Sequence, residues 1–289
     1  ESVAASVIPQ VDGELGEIFT KLSNTQIYIF RHARVLLAAH AIALFRVDPI
    51  WAEKHLLPLF NWQQLTDEAK SAWEGLLWSP RLYRPFMEAI KEPFLDTARH
   101  YSQLGRHKGQ YAALLTFTAL DPEDTFTKLE LINATRALPL AGLEESSKSL
   151  VLALEGAGDQ KSEFWRNRIA PYIQSIWPKS QENTSKIISD NFARLCLATQ
   201  DAFPEALSML KKWLLPPDYP NFLVERLRKS DLCQQYPEQA LSFLDKITTN
   251  DPRWPASNLG ECLETIKLAD PTLCIDSRFE RLNYINQSN

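Results

Sequence analysis

Apolar residues recur at helical spacing along most of the chain. The clearest stripe comprises Ala69, Trp73, Leu76 and Leu77. These positions follow one another at i, i+4, i+7 and i+8, which places them on one face of an α-helix. A longer run from Ile27 to Phe45 has the same period, and strand-like alternation bounded by turn residues is absent from the sequence. The pattern predicts an all-α protein.

Proline and short polar residues mark the predicted helix boundaries. Asp precedes Pro at Asp48-Pro49, Asp121-Pro122, Asp251-Pro252 and Asp270-Pro271. An Asp side chain can cap a first turn, and proline is favoured at the first helical position. The run 27–45 is predicted to be one helix, and further helices are predicted to begin at Pro49 and Thr66. Others are predicted at 80–104, 107–120, 122–137, 139–155, 160–177, 184–199, 202–215, 218–230, 234–248, 255–268 and 273–285.

One internal repeat indicates how these helices are organised. The segment 203–210 (FPEALSML) returns as 236–244 (YPEQALSFL), beginning 33 residues later and with one inserted residue. Pairs of helices with such a period cannot bury their apolar faces alone and stack on their neighbours. Neither the full tetratricopeptide consensus nor the ankyrin signature is present. The sequence therefore predicts an irregular solenoid of helix pairs, similar to HEAT and tetratricopeptide (TPR) repeats.

The same pattern suggests a division of the chain into parts. Residues 1–26 lack a sustained period and are predicted to be an N-terminal extension or linker. Residues 27–157 are predicted to be an N-terminal helical half, and 158–289 a C-terminal helical-repeat half continuous with the first. The glycine-containing stretch 156–160 is the best candidate for a hinge.

Composition narrows the class of protein. The 289 residues include 31 basic and 36 acidic side chains, for a net charge of −5, and 45% hydrophobic residues exclude a globally disordered chain. The longest apolar stretch, 35–45, is shorter than the roughly 20 residues that cross a bilayer. Four cysteines without a CxxC pair are expected to be reduced and mostly buried. With no secretory signal visible, we expect a cytoplasmic protein that does not contact a membrane.

Catalytic and metal-binding signatures are weak. All five histidines precede residue 108 and all four cysteines follow residue 195, so no pair has zinc-finger spacing. His32 and His40 would lie about 12 Å apart along one helix. The only clustered glycines, Gly156 and Gly158, resemble a turn rather than a phosphate-binding loop, and the acidic run 121–124 is typical of a helix start. We predict no catalytic residue, no metal and no cofactor, and hence no enzyme in this segment.

The tryptophans and basic residues offer candidates for packing and binding. Trp73 and Trp78 are predicted to pack between helices, and Trp51, Trp62, Trp177 and Trp254 to wedge helix ends. Trp165, Arg166 and Arg168 combine an aromatic ring with two cations and are our candidate binding residues. Basic residues also occur at Arg31, Arg34, Lys211, Lys212, Arg226, Arg228 and Lys229. With Trp165 and Trp213 they would suit a nucleic-acid groove, because aromatic rings stack on bases.

Several segments resemble a bacterial domain family of undefined function, DUF4020. The resemblance rests on residues 48–62, 73–82, 164–168, 176–180 and 203–207 and covers most of residues 30–270. This family occurs near the carboxyl end of long bacterial proteins, often behind a sirtuin-like NAD-consuming domain, in anti-phage defence. The resemblance implies a non-catalytic module and supplies no catalytic residue, because no sirtuin-like motif is present.

These observations favour a recognition or regulatory module that binds a protein. The resemblance would make it the sensor of a larger antiviral defence protein, whose partner is a phage protein or another domain of the parent chain. Two alternatives remain, namely nucleic-acid binding along a basic groove and a scaffold that holds oligomers of the parent together. An enzyme assembled from scattered residues is a weaker alternative, because catalysis needs perturbed groups in a pocket.

Overall fold

The computed structural model describes residue 11 and residues 13–121, 125–249 and 257–287. Every regular element within these ranges is a helix, and they contain no strand. The all-α prediction is therefore confirmed. The chain divides into two compact units, Glu1–Gly142 and Leu143–Asn289, so the division lies N-terminal to the predicted one at residue 157.

Short helices joined by tight turns build the first unit. Its α-helices are Gly13–Ser23 (α1), Arg31–Ala39 (α2), Ala41–Val47 (α3), Pro49–His55 (α4), Thr66–Leu76 (α5), Arg84–Ala89 (α6), Lys91–Thr97 (α7), Lys108–Leu120 (α8) and Lys128–Ala137 (α9). Short 3₁₀ turns such as Leu57–Phe60 and Ala98–Gln103 connect them. Isolated helices of this length are marginal in water, so packing stabilises them.

The second unit is also built mainly of short helices. Its helices are Leu140–Gly156 (α10, which starts just before the division), Lys161–Phe164 (α11), Ala170–Ser175 (α12), Lys186–Ala198 (α13), Phe203–Leu210 (α14), Asn221–Arg228 (α15), Leu232–Gln235 (α16), Pro237–Ile247 (α17), Leu259–Ala269 (α18) and Ser277–Gln287 (α19). A π-helical segment, Trp165–Ile169, joins α11 to α12 without interruption. The helices predicted at 107–120, 139–155 and 184–199 are confirmed as α8, α10 and α13.

The Asp-Pro signal is confirmed at two places. Asp48 accepts a hydrogen bond from the Trp51 backbone N–H at 2.9 Å and caps α4, with Pro49 at its first position. Asp270 accepts one from the Thr272 N–H at 3.0 Å and opens a 3₁₀ turn. Residues 122–124 and 250–256 lie outside the described residues, so the pairs at 121 and 251 are not described in full.

Two predicted helices have different boundaries. The helix predicted at 122–137 starts at Lys128, because Thr127 and Glu130 form a capping box there: the Thr127 hydroxyl accepts from the Glu130 N–H, and the Glu130 carboxylate accepts from the Thr127 N–H. The predicted helix 80–104 is divided into α6, α7 and a 3₁₀ turn. Pro93 lies in the first turn of α7, where its missing N–H breaks no hydrogen bond.

The chain bends sharply at His40. The prediction of one helix over 27–45 is wrong, since α2 ends at Ala39, α3 begins at Ala41, and their axes differ by 73°. The bend lets the two halves pack on different neighbours: α2 lies against α5, whereas Phe45 of α3 meets the Phe86 ring edge-on at 5.7 Å. No single helix among the described residues is long and apolar enough to cross a membrane; this bent pair reaches that length and composition only when its halves are counted together.

A helix lies inside the segment predicted to be an extension. The Trp51 indole N–H donates to Thr20 Oγ1 at 2.9 Å, which ties α1 to α4. Two glycines weaken the helical signal there, but both have structural reasons. Gly13 has a positive φ of +68°, and a Cβ on Gly16 would lie 2.1 Å from the Val11 carbonyl oxygen. The described part of 1–26 is therefore part of the first unit.

A buried ion pair joins α2 to α5. The Arg34 guanidinium donates to both carboxylate oxygens of Glu68 at 2.7 Å and to the carbonyls of Asn24 and Ile27 at 3.0 and 3.1 Å. Only 2% of the Arg34 side chain is exposed. Because its charge and its donors are matched, the guanidinium tolerates burial and fixes the turn before α2 against both helices.

Long-range side-chain bonds share a characteristic sequence separation. Most of those between described residues that are more than 20 positions apart join residues separated by 31–40. Examples are Trp62–Thr97, Arg84–Asp121, Ser162–Thr199, Arg228–Glu261 and Arg281–Asp245, with separations of 35, 37, 37, 33 and 36. Helix α10 is an exception, because Ser147 and Glu155 bond to Asn191 and Arg226, at separations of 44 and 71.

The internal repeat has a structural counterpart. Its two copies begin α14 and α17, each with proline in the first turn. The leading rings, Phe203 and Tyr236, lie 6.4 Å apart between centroids. The glutamates that follow accept hydrogen bonds or ion pairs from arginines on other helices, Glu205 from Arg166 and Glu238 from Arg278, both at 2.9 Å.

Gly75 allows α5 to approach α2 closely. A Cβ at this position would lie 2.4 Å from the Val35 carbonyl oxygen, which is backbone and cannot move aside. We expect Gly75→Ala to lower the free energy of unfolding by about 1–3 kcal/mol, despite the higher helix propensity of alanine. Thermal or urea denaturation would measure this.

Gly156 provides the control, because a Cβ there would have no neighbour within 4 Å. Gly156→Ala should be neutral or stabilising. Equal effects of the two substitutions would contradict the close approach at Gly75.

The buried Arg34–Glu68 pair should be sensitive to loss of one partner. Glu68→Gln leaves the Arg34 charge uncompensated, and we expect a loss of about 3 kcal/mol in the free energy of unfolding. The exposed pair Glu145–Lys148, at 3.6 Å, is the comparison, where Glu145→Gln should change stability by under about 1 kcal/mol. Similar losses in the two variants would show that the buried pair contributes no more to stability than the exposed pair.

Candidate binding surfaces

The three candidate binding residues lie on the π-helical segment of helix 161–175. The Ala170 N–H bonds to the Trp165 carbonyl, five residues back, instead of four. Pro171 gives a physical reason: it has no N–H, and its ring would clash with the carbonyl four residues before it in a regular α-helix. The wider turn relieves that clash. Segments of this kind often occur at functional sites.

Trp165 faces the core of the second unit. Its side chain is fully buried, and its indole N–H has no hydrogen-bond partner among the described residues. The ring therefore has no exposed surface to offer a ligand. In this segment the binding prediction rests on the two arginines alone.

The two arginines differ in their surroundings. Arg166 is exposed and donates to Glu205 at 2.9 and 3.1 Å, with Asp201 3.5 Å away. A hydrogen bond from Ser162, together with the Arg166 charge, lowers the pKa of Asp201. Arg168 is half-buried and forms no ion pair with any described residue. Its guanidinium is thus the free cation of the predicted set, and binding at either arginine remains a prediction.

Most basic residues considered for a nucleic-acid groove are matched by carboxylates. The pairs are Arg34–Glu68, Arg226–Glu155, Arg228–Glu225 and Lys229–Glu225, at 2.7 to 3.2 Å. Hydrogen bonds from Arg228 and Lys229 lower the pKa of Glu225 to about 2. Trp213, like Trp165, is buried, at 1% exposed. The groups that would bind phosphates and stack on bases are thus largely engaged within the fold.

An acidic groove in the first unit already holds its own countercharges. It has a volume of about 420 Å³ and is lined by Glu92, Asp96 and Glu130 among others. Lys91 lies 2.9 Å from Glu130 and lowers the pKa of that carboxyl through a hydrogen bond. Arg99 lies 3.6 Å from Asp96. The groove is therefore close to electrically balanced.

A second groove in the first unit is lined by basic instead of acidic side chains. It has a volume of about 480 Å³ and lies between the bend at His40, the end of α5 and the segment before α6. We call it the arginine groove. Its polar and aromatic lining is His40, Arg46, Ser79, Arg81 and Tyr83, and its apolar lining includes Ile42, Leu76 and Leu82. None of its lining residues is acidic.

Sequence reasoning missed the arginine groove. Arg46 and Arg81 are far apart in the sequence, and neither belongs to a basic cluster. The signal that could have found them is the break at Ser79-Pro80, which ends one helix and places Arg81 in the connecting segment. The bend at His40, which shapes the other wall, has no glycine or proline to predict it.

Trp78 corrects one packing prediction. Trp73 is fully buried and its indole N–H donates to the Phe60 carbonyl at 3.1 Å, as expected of a core residue. Trp78 is 65% exposed instead, although its ring stacks on His107 at 6.5 Å. It lies two residues after the last residue of α5 and beyond the apolar stripe. Trp51, Trp62 and Trp177 are buried as predicted, and Trp254 lies outside the described residues.

The cysteines are reduced, and three of the four are buried. Cys196, Cys233 and Cys262 are buried and reduced, as expected, whereas Cys274 is half-buried. Burial raises the pKa of Cys196 far above its usual value, which keeps it a neutral thiol. No group of three or more His, Cys, Asp or Glu side chains within the described ranges is placed to hold a metal ion.

The chain has a distant partial likeness to one protein of undefined role. Uncharacterized protein y4cA of Sinorhizobium fredii (strain NBRC 101917 / NGR234) is 22% identical over 133 residues, which is 45% of this chain and 11% of that much longer protein. No family model matches the chain, and no solved structure matches it. The likeness assigns neither a family nor an activity.

The packing role of Trp165 can be separated from its polar atom. Trp165→Ala should lower the free energy of unfolding by about 3–5 kcal/mol, since it empties a fully buried site. Trp165→Phe should cost much less, because it keeps most apolar contact and removes an N–H without a partner.

Trp73→Phe is the matched control in the first unit. It leaves the Phe60 carbonyl without its donor and should cost about 1 kcal/mol more than Trp165→Phe. Chemical denaturation measures both, and a larger loss for Trp165→Phe would mean that its indole N–H does have a partner in solution.

Proposed function

We propose that this chain is a non-catalytic helical-repeat module that recognises a protein. The observation that carries the proposal is the 31–40 residue separation of its long-range side-chain bonds. In helical-repeat proteins each helix pair contacts its sequence neighbours, so bonds recur at about the length of one repeat. The contact between the two copies of the repeat, at Phe203 and Tyr236, supports the same arrangement.

Exposed apolar side chains support binding of a protein. Tyr28 and Ile29 are 74% and 77% exposed in the first unit, and Trp78 is 65% exposed. Tyr219 and Ile275 are each 85% exposed in the second unit. Tyrosine and tryptophan are enriched in protein interfaces, because their rings supply large contact area with few rotatable bonds.

The context that we propose is sensing within a larger bacterial defence protein. The resemblance to the DUF4020 domain suggests that an NAD-consuming effector domain precedes such a module, and the likeness to a small part of a long protein is compatible with this. The sensor would work in the cytoplasm and bind a phage protein or another domain of the parent. A bound partner would change the state of the effector, and the chemistry would lie outside this chain.

The experiment is a capture assay with the 289-residue chain immobilised. Lysates of phage-infected and uninfected bacteria are applied with and without nuclease, and heat-unfolded chain serves as the control. We expect a protein that binds only the folded chain, appears only after infection and survives nuclease.

Two other outcomes would overturn the proposal. Capture that disappears after nuclease treatment would favour nucleic-acid binding. No captured protein, together with self-association of the chain in sedimentation, would favour the oligomerisation scaffold.

A further inference from the structure

The arginine groove carries positive charge that the fold does not neutralise. Arg46 and Arg81 are exposed, and the side chains of Arg46, Arg81 and His40 form no ion pair or hydrogen bond with a described residue. Seven of the fifteen arginines in the described ranges have no carboxylate partner, and two of these seven, Arg46 and Arg81, line this groove. Since acidic residues outnumber basic ones by 36 to 31, two unpaired arginines in one groove are not explained by a shortage of carboxylates.

Arg46 is held in place without losing its charge. Its guanidinium lies over the Tyr83 ring, 5.6 Å from the centroid. Such a cation–π contact orients the side chain, but it leaves the net charge and most N–H donors available. A ligand that bonds to Arg46 therefore meets a partly ordered group, which lowers the entropy lost on binding.

The apolar lining defines the rest of the ligand. Ile42, Leu76 and Leu82 form part of the groove, and Leu82 is 43% exposed. Aliphatic walls beside cations suit a chain that carries carboxylates and an apolar side chain. The volume of about 480 Å³ lies within the range of ligand pockets and has room for a few side chains.

Nucleic acid fits the groove less well. Base stacking needs a free aromatic face, whereas Arg46 covers the ring of Tyr83 in the groove. The net charge of −5 also repels a long polyanion at a distance. A short acidic peptide carries fewer negative charges, so the net charge of the chain repels it less. Its apolar side chain can also contact the aliphatic lining of the groove.

We propose that the arginine groove binds an acidic segment of a partner protein, in which carboxylates alternate with an aliphatic side chain. This inference rests on the proposed protein-binding function and names the chemistry of the partner. Arg46 and Arg81 would each donate charge-assisted hydrogen bonds to carboxylates. Leu82 and Ile42 would contact the aliphatic side chain.

Fluorescence anisotropy with the full chain tests the proposal. The probe is a dye-labelled peptide of repeated Glu-Asp-Leu, compared with a Gln-Asn-Leu peptide and a labelled oligothymidylate of similar length. We expect the acidic peptide alone to bind, with an affinity that falls as salt rises. Arg46→Glu and Arg81→Glu should each weaken binding about tenfold or more, because each replaces a donor by a repelling charge.

Arg136→Glu is the matched control. Arg136 is an exposed arginine of the same unit that has no ion pair with a described residue and does not line the groove. Its reversal makes the same change in net charge and should leave peptide binding nearly unchanged. Thermal melting confirms that all three variants fold.

Three results would overturn the proposal. They are no binding of the acidic peptide, equal weakening by all three reversals, and tighter binding of the oligothymidylate that is lost in Arg81→Glu. The capture assay keeps this inference separate from the proposed function. If the captured partner still binds the Arg46→Glu and Arg81→Glu variants, the groove is not its site, but the protein-binding function stands. If the acidic peptide binds but no partner is captured, the groove binds acidic peptides, but the proposed protein-binding function fails.

Discussion

The short helices of this protein depend on contacts with elements about one helix pair away in the sequence. Most of its α-helices are no longer than 13 residues, too short to be stable alone in water. Bonds such as Trp62–Thr97 in the first unit and Ser162–Thr199 in the second join residues 35 and 37 positions apart. Packing between elements that are near in sequence thus stabilises the fold, and such packing does not require a regular sequence repeat. This explains how the fold tolerates bends, 3₁₀ turns and a π-helical segment.

Arginine has two opposite roles in the first unit. Arg34 is buried, and Glu68 and two backbone carbonyls satisfy its donors, so its charge serves only to hold helices together. Arg46 and Arg81 lie at a groove without acidic lining. The close approach of α5 to α2 at Gly75 and the bend at His40 link the two regions, because both determine where the end of α5 lies relative to α3. The architecture that buries one guanidinium therefore also shapes the place where two others stay free.

Fold class and most helix positions could be predicted from the sequence, because apolar periodicity and capping residues are local signals. Asp48 and Asp270 cap their turns as the sequence indicates. The bend at His40 could not be predicted, since tertiary packing rather than a breaker residue produces it. Chemistry alone selects the candidate residues, but exposure depends on the fold: Trp165 is buried and Trp78 is exposed. The arginine groove combines distant residues and has no local pattern.

The π-helical segment changes the orientation of the residues that precede it in its helix, Lys161–Phe164. One extra residue in a turn rotates the preceding side chains by about 100° relative to those that follow. Trp165 points into the core and Arg166 towards Glu205 in that rotated register, whereas Tyr172 and Ile173 bury the face set by the regular turns after Pro171. No residue of Lys161–Phe164, before the segment, is buried, whereas Trp165, Ile169, Tyr172 and Ile173 are. The change of register thus falls where the helix passes from a first turn without buried residues into the core.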